Sequence, residues 1–210
     1  MSIGIYGILR EALITTRFQP NDMLRIRSLS EQLDTSVAPV QDAILQLAKE
    51  QAMVLKTPRD IRVPMMTSKQ FLESRRIRLS LEGLAAETAA AHVTTPQLER
   101  LESCIEDNLA AIQANHLAAA LTHNHEFHYA LTEIADMPML SSLLDGLWMR
   151  TGPLIARAYG SFNERMAIDH HWEVLAALKN KDGAAAREAI CADILDGSQK
   201  MLEYVQLEHD

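Results

Sequence analysis

Between residues 117 and 134 the apolar side chains recur at helical spacing, and two polar side chains stand in the middle of their stripe. Leu117, Leu121, Phe127, Leu131 and Ile134 follow a 3.6-residue period, and Asn124 and His128 share their face one turn apart. The segment Thr122-His123-Asn124-His125-Glu126-Phe127-His128 packs histidines, an amide and a carboxylate into one short run. His123 and His125 fall about 100° to either side of the stripe, which places both at its rim. Two groups with ligand-capable atoms therefore point into a helical interior. A buried polar group without a partner costs about 1–3 kcal/mol, so the rest of the chain must bring something to meet them.

The 210 residues have room for one large or two small domains. Aromatics make up only 5% of the chain, and no Gly/Ser-rich or Pro-rich tract occurs, which favours helix over sheet. No apolar run reaches the roughly 18 residues of a bilayer span, so no membrane partner is expected. Residues 1–6 lack the basic start and apolar core of a secretory signal. Cys104 and Cys191 fall in different predicted helices and read as reduced thiols of a cytoplasmic protein. The net charge of −8 is unevenly spread: residues 1–64 hold 8 Lys and Arg against 7 Asp and Glu, and the remainder 12 against 21. A near-neutral N-terminal part on an acidic body is compatible with DNA contact by the first part alone.

Local signals divide the chain in the same place. Residues 3–16 read as a helix ended by Phe18-Gln19-Pro20-Asn21-Asp22, where Asn21 tolerates positive φ. Ser28-Leu29-Ser30-Glu31 has the form of a capping box opening a short helix over 29–34. Ser36 is placed to cap a second helix over 37–50, with Pro39 in its first turn. Two helices joined by so short a turn have helix-turn-helix geometry. Residues 53–56 and 61–63 then read as strands around a turn at Thr57-Pro58-Arg59-Asp60. The order predicts a winged helix over 1–64, a linker over 65–68 and an all-α domain over 69–210, with helices at 68–92, 95–114, 117–135, 138–159, 163–180 and 183–205.

These residues resemble a known family. Ile5-Tyr6-x-x-Leu9-Arg10-Glu11-Ala12-Leu13, Phe18-Gln19-Pro20-Asn21-Asp22-Met23-Leu24 and Leu29 through Ile44 resemble the winged helix of GntR-family transcription regulators. Arg78-Leu79-Ser80-Leu81-Glu82-Gly83-Leu84-Ala85-Ala86, Asn124-x-x-Phe127-His128-x-x-Leu131 and the run from His171 to Asp182 resemble the effector-binding FCD domain of the family's FadR/VanR branch. The implied fold is mainly α, a winged helix-turn-helix followed by a six-helix antiparallel bundle. The implied protein is a homodimeric regulator whose helical domain senses a small organic acid.

Two departures from the family pattern shape the expected sites. Where the family has Gly-Val-Ser-Arg-Thr-Pro-Val-Arg, this chain has Asp34-Thr35-Ser36-Val37-Ala38-Pro39-Val40-Gln41. Both arginines are gone, and with them base contacts of about 1–3 kcal/mol each. Asp60 also stands where the resemblance implies a wing glycine, and would repel a phosphate. Operator DNA is therefore expected to be met by Arg25, Arg27, Ser36, Gln41, Lys49 and Arg59, with an unusual or weakened operator.

The family's metal ligands map onto Asn124, His128, His171 and Asp193, so that one imidazole has become a carboxylate and the carboxylate an amide. His171 lies in the apolar stripe of Ile168, Val174, Leu175 and Leu178, and Asp193 shares its helix with Ala186, Ala189 and Ile190. Polar groups from three helices would converge, as bundle metal sites require, and the donors suit Zn²⁺, Ni²⁺ or Mn²⁺. Arg78 stands one turn before Glu82. It reads equally as half of a helix-face ion pair and, by the resemblance, as an arginine holding a carboxylate effector. A metal-dependent enzyme and a sensor with a degenerate DNA-binding head are the alternatives, the first weakened by the absence of a dedicated general base or nucleophile.

Overall fold

The computed structural model describes residues 4–15, 17–57, 59–160 and 168–207. Helix α1 (Ile5–Ile14) is followed by strand β1 (Met23–Leu24), helices α2 (Ile26–Gln32) and α3 (Val37–Lys49), and strands β2 (Val54–Thr57) and β3 (Asp60–Arg62). The three strands form an antiparallel sheet in the order β1-β3-β2, with Ile61 opposite both Leu24 and Leu55. Two residues are too few to show a period, so β1 escaped the sequence reading. Asn21 takes φ 68° in the turn before it.

The capping box at Ser28 does not open α2. The helix begins three residues earlier than expected, at Ile26, because the Leu29 N–H already reaches the Arg25 carbonyl at 3.0 Å. Ser36 is the residue before α3 as expected, although its side chain makes no capping bond. At the wing, the Thr57 hydroxyl accepts the N–H groups of Arg59 and Asp60 at 3.3 and 3.1 Å. Pro58 lies outside the described residues, as do the expected ends of the first helix at residues 3 and 16.

Among the described residues six helices follow: α4 (Ser68–His92), α5 (Thr95–Gln113), α6 (Leu117–Ile134), α7 (Pro138–Gly160), α8 (Ile168–Lys179) and α9 (Gly183–Leu207). The expected start of α8 at residue 163 lies outside the described residues. Reciprocal capping boxes at Thr67/Gln70 and Thr94/Gln97 fix the starts of α4 and α5. Asn115, Asp136 and Lys181 take positive φ at the breaks that follow α5, α6 and α8. None of the described helices is long and apolar enough to cross a membrane.

Among the described residues, two apolar cores organise the fold. One lies among α4, α5, α6, α8 and α9, and includes Leu101, Ile105, Phe127, Leu131, Leu175, Leu178 and Ile190. The other begins in the winged helix, with Leu9, Leu13, Val40, Ile44, Leu47 and Ile61, and continues into Leu140, Leu144, Trp148 and Met149 of α7. Helix α1 is the bridge: it packs on α7, Arg10 pairs with Asp145, and Gly152 meets the backbone of Leu13 and Ile14.

Candidate functional site

The buried stripe of α4 runs through Phe71, Ser74, Arg78, Glu82, Ala85 and Ala89. Arg78 and Glu82 occupy interior positions of a helix whose neighbours on that face are apolar or small. Their charges are met by one another and by α6. Arg78 Nε donates to Glu82 Oε1 at 2.6 Å, and Glu82 Oε2 lies 2.6 Å from His128 Nδ1. Beyond it, His128 Nε2 lies 3.1 Å from Asp193 Oδ2 on α9, and Asp193 Oδ1 lies 3.3 Å from His171 Nε2 on α8. Polar side chains from four helices thus form one buried line, ending on the flat side by Phe127, whose ring stacks on His171 at 4.1 Å.

Each ionisation follows from its neighbours. Burial works against the Glu82 charge, but Arg78 and His128 outweigh it and hold its carboxyl down to about 2. Burial likewise opposes a charged His128, and Glu82 and Asp193 overcome it, pushing the imidazole up to about 9. Burial dominates at His171 and carries it down to about 4, so this ring is neutral. Burial opposes the Asp193 charge too, and the two imidazoles hold its carboxyl below the usual range. Arg78 and His128 balance Glu82 and Asp193, so the line is neutral as a whole.

Among the sequence-predicted metal ligands, the fold brings His128, His171 and Asp193 together, their donor atoms all within 4.8 Å of one another. Asn124 is buried one turn before His128 on the same helix. Both ring nitrogens of His171 are buried without a hydrogen bond, the contact to Asp193 being poorly angled for one. Glu82 holds Nδ1 of His128 and leaves Nε2 facing Asp193, the outer carboxylate–imidazole arrangement common at metal ligands. The donor set fits a divalent cation.

Arg78 spends one of its five N–H donors on Glu82, and its guanidinium lies 4.3 Å above the Trp148 ring of α7. Helical periodicity names the inward face of α7, whereas the cation it covers sits on another helix.

His125 corrects a second expectation. It is not a rim residue: Nε2 is buried without a hydrogen-bond partner, and the ring stacks on Tyr129 and meets the Trp148 edge at 5.1 Å. Burial carries it down to about 4. The cause is α7, which covers that flank of α6. His123 and His170 stay partly exposed and pair with nearby carboxylates, His123 with Glu126 and His170 with Glu173 and Asp196.

In the winged helix, Arg25, Arg27, Ser36, Gln41, Lys49 and Arg59 are all exposed. Ser36 precedes α3 and Gln41 lies in its second turn, whereas Lys49 ends it, about 12 Å beyond Gln41 along the axis at 1.5 Å per residue. The expected repulsion by Asp60 is offset, since Arg62 Nε lies 2.7 Å from its carboxylate, while Nη1 of the same guanidinium donates to Asn21.

A winged helix whose first helix packs on an α-bundle with a buried polar centre defines a class: DNA-binding regulators with a helical second domain. Comparison with known proteins makes this specific. The GntR family of bacterial regulatory proteins matches residues 2–63, and the FCD domain family matches residues 73–196. The chain belongs to the GntR family of transcription regulators, with an FCD domain as its helical part. It is 28% identical over 193 residues to the HTH-type transcriptional regulator McbR of Escherichia coli K12, covering 90% of this chain and 87% of that protein. It is 25% identical over 210 residues to the transcriptional repressor RspR of the same organism, covering 98% and 91%. A solved structure of E. coli McbR/YncC superposes with a TM-score of 0.88 at 26% identity, covering 98% of this chain and 97% of that one. These relatives are transcription regulators and not enzymes, which removes the metal-dependent enzyme from consideration.

Proposed function

We propose that this chain is a cytoplasmic, homodimeric regulator in which residues 69–210 sense a small carboxylate effector together with a divalent metal, and residues 1–64 carry the response to operator DNA across a linker at 65–68. The observation that supports it most is the buried line Arg78–Glu82–His128–Asp193–His171, with two orphaned nitrogens on its last ring. Burying so many polar groups is costly unless they serve a ligand or one another, and His171 is served by no hydrogen bond among the described residues. His128, His171 and Asp193 would hold the metal, with Asn124 the weakest candidate because an amide is a poor ligand for Zn²⁺. A bound Zn²⁺, Ni²⁺ or Mn²⁺ would supply a Lewis-acid anchor for the effector carboxylate. Arg78 would supply the second hold through the donors that Glu82 does not use. Exposed apolar side chains at Met139 and Leu143, one turn apart on α7, offer surface to a second copy.

Metal analysis tests the sensory half. Purified His128→Ala and His171→Ala are expected to carry one metal equivalent less than the parent chain. Equal content in all three proteins would overturn the ligand assignment.

For the DNA half, the exposed start of α3 carries Ser36, Val37, Ala38 and Gln41 and no arginine. Gln41 suits adenine and Val37 a thymine methyl, so the operator is expected to be A/T-rich at these contacts. A gel shift at low salt with the DNA upstream of the protein's own gene should show retardation beyond that of random DNA. Arg25→Ala and Arg27→Ala should weaken it and lower the salt slope by about 1 each. Retardation no stronger than with random DNA would favour the degenerate-head reading.

A further inference from the structure

The outer face of the α5–α6 hairpin carries a cluster that the buried line does not use. Only residues 114–116 join the two helices, so they run antiparallel side by side. Cys104 and Asp107 stand one turn apart on α5, and His123 and Glu126 one turn apart on α6. All four line one cleft of about 310 Å³. The donor atoms of Cys104, His123 and Glu126 lie within 4.8 Å of one another. Two contacts already orient them. The Cys104 thiol donates to the His123 carbonyl at 3.2 Å, and His123 Nδ1 lies 3.0 Å from Glu126 Oε2.

We propose that this cleft is a second metal site, binding Zn²⁺ through Cys104, His123 and Glu126. A thiolate, an imidazole and a carboxylate on facing helical turns form the donor set Zn²⁺ accepts, whereas Mg²⁺ and Ca²⁺ prefer oxygen alone. Binding replaces the S–H bond with an S–Zn bond and releases the proton to solvent. The acidic neighbours Glu126 and Asp107, which help to keep the thiol protonated in the metal-free chain, then balance the cation's charge. The metal would staple α5 to α6, the helix that presents Asn124 and His128 inward, and so stiffen one wall of the buried site. The assignment does not depend on a metal at His128, His171 and Asp193.

Sulfur separates the two sites. Cobalt(II) alone, titrated into the metal-stripped full-length chain, is expected to produce saturable thiolate-to-cobalt charge-transfer absorption. The buried donors contain no sulfur, so His171→Ala should keep this absorption, and Cys191→Ser should keep it too. Cys104→Ser should abolish it. His123→Gln and Glu126→Gln, which change partly or fully exposed side chains, should weaken cobalt binding by about tenfold or more, since losing even an outer partner of a ligand costs that much. No charge-transfer band in the parent, or a band that survives in Cys104→Ser, overturns the proposal. So does parental affinity in both glutamine variants, whether or not Cys104→Ser folds.

Discussion

Glu82→Ala is expected to lower the unfolding free energy by about 3–5 kcal/mol, the cost of removing one partner from a buried ion pair. The side chain is 2% exposed and stands between two cations, accepting from Arg78 through one oxygen and facing His128 through the other. Without it, a guanidinium and an imidazolium remain buried with only Asp193 to offset them. In a chain of this size that loss corresponds to a fall in Tm of roughly 6–20 °C. Guanidinium titrations of parent and variant would measure it. The double replacement Arg78→Met with Glu82→Leu is expected to recover much of the loss, because it removes both charges and keeps the volume filled. A Glu82→Ala variant within about 1 kcal/mol of the parent would show that the charges are not coupled as their geometry implies.

Gly152→Ala is expected to destabilise the chain by about 1–3 kcal/mol, the usual range for overpacking, although alanine is the better helix former. A Cβ there would lie 2.5 Å from the Leu13 carbonyl oxygen and 2.9 Å from Ile14 Cα. Both are backbone atoms of α1, so no side chain can turn aside, and the methyl group must push the winged helix away from α7. Gly146 on the same helix is the internal control, since a Cβ there meets nothing within 4 Å. Gly146→Ala should therefore raise stability by roughly 0.5–1 kcal/mol. Thermal melts of the two variants should shift in opposite directions. A Gly152→Ala melt equal to or above that of the parent would mean that α1 does not sit tightly on α7. This contact joins the winged helix to the helical part, so under the proposed function Gly152→Ala should also blunt the effect of an effector on operator binding.

Much of the architecture could be read locally. The six body helices lie close to where breakers and apolar periodicity predict, because Pro96, Asp136 and the Asp182-Gly183 pair interrupt a pattern that neighbours within four residues maintain. The errors were local too. Ser28-x-x-Glu31 looked like a cap because the motif says nothing of the preceding turn, which was already helical. Strand β1 was missed because two residues carry no period, and its existence depends on Ile61 arriving from β3. The inward direction of Asn124, His128, His171 and Asp193 was likewise available from their stripes.

Local pattern specifies which segments are helical, which faces are apolar and which polar side chains are committed to the interior, since each depends on a repeat a few residues long. Their partners follow only from how the helices pack. Glu82 meets His128 across 46 residues, and His125 meets the edge of Trp148 on α7. Cys104 faces His123 across a hairpin, and α1 rests on Gly152. Those pairings depend on how helices rotate and approach one another when the cores close. That is a property of side chains packing between distant segments, and no single stripe records it.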